Sequence, residues 1–169
     1  MDRLVKLTRK AAHSGFYRHI LNFVLWRTVP FNAPHAIQVH AISDNSITIR
    51  ARNTRNNQNH IKGVHACLLA TMCEYVSGLS LLLHLNPKDY RIILKNINMT
   101  YHYQAKTNVY AEFSLNKETV QTHVLAPLQN SEALFKEFTV EIYDEQKNHI
   151  CTGLINWQIK AWKDVKLKV

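Results

Sequence analysis

Apolar residues follow three rhythms along this chain. Between residues 2 and 27, Leu4, Leu7, Ala11, Ile20, Phe23, Val24 and Leu25 recur among basic residues, a spacing that predicts one or two amphipathic helices. Pro30 and Pro34 then punctuate the chain. AIQVHAISD and SITIRARN alternate apolar and polar side chains on either side of Asp44-Asn45. That period of two predicts a β-hairpin, although Asn45-Ser46 is a weaker turn pair than Asn-Gly. The third rhythm is nearly continuous: residues 64–85 are apolar almost throughout, with Glu74 the one residue of fixed charge. This stretch predicts a long buried helix.

After Pro87, YRIILKNINMTYHYQ and NVYAEFSL read as a second pair of strands. KETVQTHVLAPLQNSEAL reads as a short helical excursion broken at Pro127. FKEFTVEIYDEQKNHICTGLINWQIKAW closes the chain as two long strands around a turn at 144–148. With no internal repeat, low-complexity segment or linker, the economical expectation is one α+β domain over residues 1–169. It has a helical arm at 1–30, a central helix at 64–85 and a largely antiparallel sheet.

The central helix is long enough to suggest a membrane span. Glu74 near its middle would be costly in hydrocarbon, and the alternating strands are those of a water-soluble sheet. A helix apolar all round is equally at home inside a curled sheet, with a second subunit covering what remains exposed. No membrane span is therefore expected.

Composition narrows the picture. The chain has 169 residues, 46% apolar and 20% charged, enough for a core without staples. Cys67, Cys73 and Cys151 are odd in number and lack Cys-x-x-Cys spacing, so neither a disulfide framework nor a metal site is suggested, and a reducing cytoplasm is the expected setting. The first twenty residues do not read as a secretory signal. The net charge of +9 collects at the ends, in Arg3, Lys6, Arg9, Lys10, Arg18 and Arg27 and again in Lys160, Lys163, Lys166 and Lys168. Nucleic acid, an anionic membrane surface or a phosphorylated small molecule such as coenzyme A would be attracted; a solvated surface with a sign bias is the bland alternative.

The chemistry-bearing text is Asn59-His60-Ile61-Lys62-Gly63-Val64-His65-Ala66, followed by Glu74 nine positions after His65. It resembles the signature of PaaI-type thioesterases of the hotdog fold, in which Asn, Gly and His lead into the central helix and a carboxylate follows. The arm, the late helix and the Asp144 turn are similar to thioesterases like the C-terminal domain of YiiD, over roughly residues 25–160. The resemblance implies a curved antiparallel sheet around the central helix and an acyl-CoA or related thioester as substrate. It implies no cofactor beyond the coenzyme A of that substrate. Glu74, Asn59 and His65 would be catalytic: Glu74 activates water, Asn59 orients the water or the carbonyl, and His65 holds the loop and Asn59 by hydrogen bonds. The N–H of Ala66 would be the oxyanion donor, with Gly63 shaping the approach. Such sites lie at a dimer interface, which implies a homodimer or a dimer of dimers. Nine helical steps turn Glu74 about half a revolution from His65, so the two need not meet within one chain. Two departures stand out: Ala66 and Cys67 occupy positions that are glycine in well-characterised relatives, and no Pro lies near Gln104.

Each of these residues also has a structural reading. Glu74 could be a structural acid, His65 a helix cap, Asn59 a loop-fixing amide and Gly63 a permissive entry point. Tyr75, Leu79 and Met99, with Leu82 and Leu83, could form an acyl tunnel or simply core. Cys67 near a helix N-terminus raises a nucleophile reading, against which stands its role as a small core residue. A zinc deaminase is disfavoured because no Glu follows His65 by two residues and no Pro-Cys-x-x-Cys occurs. A hotdog dehydratase would place the acid closer to the loop glycine. Three classes of function remain: a thioesterase, a non-catalytic acyl-ligand-binding or regulatory hotdog domain, and a basic nucleic-acid-binding module supported by charge alone.

Overall fold

A computed structural model describes residues 2–165; Lys166 and Lys168 of the C-terminal basic group lie outside the described residues. The arm consists of α1 (Asp2–His13) and α2 (Gly15–Thr28). The hairpin β1 (Gln38–Ile42) and β2 (Ser46–Ala51) follows, then the central helix α3 (Ala66–His84). The remaining strands are β3 (Tyr90–Tyr101), β4 (Val109–Ser114), β5 (Leu134–Asp144) and β6 (His149–Ala161). All pair antiparallel in one sheet of order β1-β2-β4-β5-β6-β3. Register shifts at Val39/Ala41, Leu94/Asn96 and Ile142/Tyr143 add local bends. The sheet encloses α3 in a hotdog fold.

Alternation decides which strand face meets the helix. Ile47, Ile49 and Ala51 of β2 are buried, as are Ile155, Trp157 and Ile159 of β6, while their neighbours are more exposed. The helix sits close. A Cβ at Gly78 would come within 2.9 Å of the Trp157 ring, and the Trp157 indole N–H donates to Ser77 Oγ at 3.0 Å, so Gly78 lets the helix lie directly on the indole. By length and composition α3 could cross a bilayer, yet it is packed against the sheet, with Met72, Cys73, Val76, Ser77 and Leu81 fully buried.

The arm seals one sheet edge. Asn22, buried on the inner face of α2, donates Nδ2–H to the Val39 carbonyl at 3.1 Å and accepts the Val39 N–H at 2.7 Å. The Trp26 indole N–H donates to the Ile37 carbonyl at 2.6 Å. Side chains thus satisfy both backbone groups of Val39 in edge strand β1 and the carbonyl of Ile37 just before it, where another strand could otherwise add. The other edge, β3, pairs on one side only.

Three sequence expectations need correction. α3 is shorter than 64–85, because Val64 gives its N–H to the Ala105 carbonyl (2.9 Å) and His65 and Leu85 serve as caps. β3 and β4 are not partners: β3 pairs with β6 along its whole length, and β4 lies between β2 and β5. Their connection cannot act as a hairpin turn because it is pinned elsewhere, through the Ala105 carbonyl and through Gln104, whose Nε2–H donates to the Ile61 carbonyl at 3.3 Å. Finally, Pro127 does not break the late helix. Lys117–Val120, Gln121–Leu125 and Ala126–Leu128 run on continuously with a π-wound middle, in which the Ala126 N–H reaches back to the Gln121 carbonyl. The wider turn before the proline accommodates a residue that lacks an N–H and crowds the preceding turn.

Asn22→Ala would strand both Val39 backbone groups in a buried setting. The variant should lose on the order of 2–4 kcal/mol, read as a lower urea midpoint with an unchanged slope. A loss below about 0.5 kcal/mol would mean that water replaces the amide.

Candidate active site

The loop preceding α3 is built from amides. Asn59 Oδ1 accepts the N–H groups of Ile61 (3.1 Å) and Gly63 (3.0 Å). The Asn59 backbone N–H donates to the Gly63 carbonyl at 2.8 Å, and the Asn59 carbonyl accepts the Lys62 N–H at 3.1 Å. Asn59 therefore folds a tight turn with its own oxygen. Its Nδ2 makes no hydrogen bond with the described residues. The left-handed position in this turn is Lys62, with φ 62°, and not Gly63. Gly63 is needed for space, since a Cβ there would lie 2.8 Å from the Gln104 side chain that braces the loop.

His65 caps α3. Its Nδ1 accepts the Cys67 N–H at 3.1 Å, its backbone N–H donates to the Asn57 carbonyl at 2.8 Å, and its carbonyl accepts the Leu68 and Leu69 N–H groups. The cap uses one of the helix's free N-terminal donors. The hydrogen bonds expected between His65 and Asn59 are not made; Asn57 takes that place. Buried Asn57 donates to the carbonyls of His35 and Arg52, both at 2.9 Å, and its Oδ1 lies 3.0 Å from His35 Nδ1. Asn57 and His35 escaped the sequence reading because nothing local distinguishes Asn57 from the neighbouring Asn56 and Asn59.

The Ala66 N–H, first in the helix, has no acceptor among the described residues, and Ala66 is exposed. The Tyr101 hydroxyl, from the end of β3, donates to the Ala66 carbonyl at 3.1 Å. Desolvation raises the Tyr101 pKa above its ordinary value. A cavity of about 270 Å³ opens beside this helix end, lined by Phe31, His35, Asn57, His65, Leu68 and Thr71 among others. Cys67 also borders it and is exposed, so it does not fill the core.

Glu74 continues the face of α3 that carries Cys67 and Thr71, at spacings of seven and three residues. It is half-buried, and its carboxylate makes no hydrogen bond or ion pair with the described residues. Desolvation raises its pKa above the usual carboxylate value. His65 and Glu74 are separated by about 13 Å along the helix axis and half a turn around it. One chain does not bring them together.

The three expected substrate-binding residues are likewise divided. Tyr75 and Leu79 are buried one turn apart on one side of α3, with Asn32, in the turn after the arm, beside the Tyr75 hydroxyl. Met99 packs with Cys73 over Gly153, on the opposite side of the helix. They do not line one tunnel, because the curling sheet surrounds α3 and uses each of its faces separately.

Residues 18–159 match the family described as DUF4442, a domain of unknown function. The chain belongs to that family. A protein of unknown function from Pseudomonas aeruginosa, described as a probable thioesterase, is similar in fold with a TM-score of 0.73 and 16% identity, covering 83% of this chain and 93% of its own. A thioesterase from Haemophilus influenzae gives a TM-score of 0.64 at 12% identity, covering 85% and 90%. A protein of unknown function from Chlorobaculum tepidum gives 0.72 at 10% identity, covering 89% and 98%. At these identities the likeness is one of fold. Among curated proteins none matches the chain.

Burial that raises the pKa of Glu74 penalises its ionised form, so its contribution to stability is complete below the unfolded value and is lost as pH rises through the folded one. Glu74→Gln should therefore match the native chain in urea midpoint near pH 4 and exceed it at pH 8. Equal midpoints at both pH values would show a carboxylate already well solvated.

Proposed function

We propose that this member of the family hydrolyses a thioester, with an acyl-CoA as the expected substrate and Glu74 as general base. The observation that carries this reading is a half-buried carboxylate without a partner among the described residues, on the same helix whose first N–H, that of Ala66, also has no partner among them. The presence of thioesterases among proteins of similar fold supports it.

Glu74 takes a proton from water as the water oxygen adds to the thioester carbonyl carbon. The negative charge that develops on the carbonyl oxygen is met by the Ala66 N–H and the positive end of the helix. Collapse of the tetrahedral species breaks the C–S bond, and the proton held by Glu74 passes to the leaving sulfur. Asn59 keeps its Nδ2 for the water or the carbonyl, since its Oδ1 is committed to the loop. The separation of His65 and Glu74 within one helix is accommodated by a homodimer in which the carboxylate of one subunit faces the loop of the other. The open edge of β3 and the exposed face of α3 leave room for such a partner. A cytoplasmic setting belongs to the same reading, supported by three free cysteines.

Across a panel of acyl-CoAs that includes aryl-CoAs, the native chain should hydrolyse at least one. Glu74→Gln should lower that turnover on the order of 10²-fold or more without changing fold or assembly. Asn59→Ala should lower turnover with little effect on assembly, and Ala66→Gly should leave it equal or higher, because a smaller residue widens the approach to the donor. Ligand binding without turnover in the native chain would favour the non-catalytic acyl-binding reading. Undiminished turnover in Glu74→Gln would make the carboxylate structural. A monomer at all concentrations by light scattering would remove the composite site.

A further inference from the structure

The outer surface of the arm combines two properties rarely left unanswered on a soluble surface. Between Arg3 and Ser43 there are six Lys and Arg residues and no Asp or Glu. Arg3, Lys6, Arg9, Lys10 and Arg27 are exposed. The only ion pair among the described residues, Lys160 with Glu132, lies elsewhere. The arm's cations meet rings instead: Lys10 Nζ lies 5.1 Å from the Tyr17 ring centroid, and the Arg27 guanidinium 5.3 Å from that of Phe23.

Large apolar side chains stand among these charges. Phe16 and Phe23 are 69% and 57% exposed, two helical turns apart on the face of α2 opposite the buried Leu21, Asn22 and Leu25. Phe31, 66% exposed, follows at the end of the helix and also borders the cavity beside His65. On α1 the exposed positions Arg3, Lys6 and Lys10 lie opposite buried Thr8 and Ala11.

We propose that the N-terminal arm is a docking surface for an anionic phospholipid bilayer. The rings of Phe16, Phe23 and Phe31 enter the interface between headgroups and acyl chains, and Arg3, Lys6, Lys10 and Arg27 meet the lipid phosphates. Charge and apolarity together select this partner. A nucleic acid would neutralise the cations but leave widely spaced phenylalanines in water. A second copy of the arm would cover the rings while bringing two strongly basic surfaces face to face. Phe31, exposed at the rim of the cavity beside His65, would bring that opening close to the acyl chains. The docking surface stands on its own geometry and requires no hydrolysis.

The test is co-sedimentation of the full chain with vesicles of phosphatidylcholine alone or phosphatidylcholine with phosphatidylglycerol, at low and high salt. The chain should bind the anionic vesicles, release them as salt rises, and bind the neutral ones more weakly. Phe16→Ser combined with Phe23→Ser should weaken binding to anionic vesicles about tenfold or more. Both rings are on the outer face, so circular dichroism should show an intact fold. If that pair does not fold, Lys6→Gln with Lys10→Gln replaces it and should weaken binding severalfold. Absence of binding to anionic vesicles at low salt would overturn the proposal, as would binding unchanged in the variant that folds. Tighter binding to single-stranded or duplex DNA would reassign the surface to nucleic acid. Conversion of an oligomer to a monomer by the phenylalanine pair would reassign it to a subunit interface.

Discussion

A helix with almost no polar face must be covered nearly all the way round, and that constraint organises the molecule. α3 carries Met72, Cys73, Val76 and Leu81 in full burial on several sides, which a flat sheet meeting one side could not supply. The sheet therefore curls, with bulges in three strand pairings to help it bend. Close approach depends on small residues where sheet and helix meet, at Gly78 over Trp157 and at Gly153 beneath Cys73 and Met99. The face left open carries Cys67, Thr71 and Glu74. Glu74 owes its raised pKa to that position between core and solvent.

Curling a sheet without closing it leaves two edges, and this chain treats them differently. The β1 edge is sealed by Asn22 and Trp26 from α2, and the arm is thereby anchored with a defined side inward. The same anchoring fixes which side faces out, so the exposure of Phe16 and Phe23 follows from the burial of Leu21, Asn22 and Leu25 on the other face. The β3 edge has no comparable cover within the chain's strand order.

The loop before α3 shows how a small set of amides fixes a helix end. Asn59 closes its own turn, Asn57 ties that loop to His35 and Arg52, Gln104 braces it from the β3–β4 connection, and His65 caps the helix. The cap takes the Cys67 N–H and leaves that of Ala66 available. The alanine side chain does not bury this position: Ala66 remains exposed. A helix end whose first N–H has no partner among the described residues is what the proposed hydrolysis would use to meet developing negative charge.

The sequence by itself determined the arm, the first hairpin, the central helix and the long final strands, because the periods that mark them are local and strong. It also marked Glu74, since a charge within an apolar run stands out without any knowledge of neighbours. Only the tertiary structure decided that β3 and β4 are separated, since strand order depends on where Ala105 and Gln104 are held and not on alternation within either strand. It decided that Asn57 takes the place expected of Asn59 beside His65, a choice among similar amides that rests on carbonyls at His35 and Arg52. It placed Met99 across the helix from Tyr75 and Leu79, because residues of one apolar run face different walls once the sheet has curled around them. Local periodicity specifies which face of an element is buried; which partner buries it is set by contacts between residues far apart in the chain.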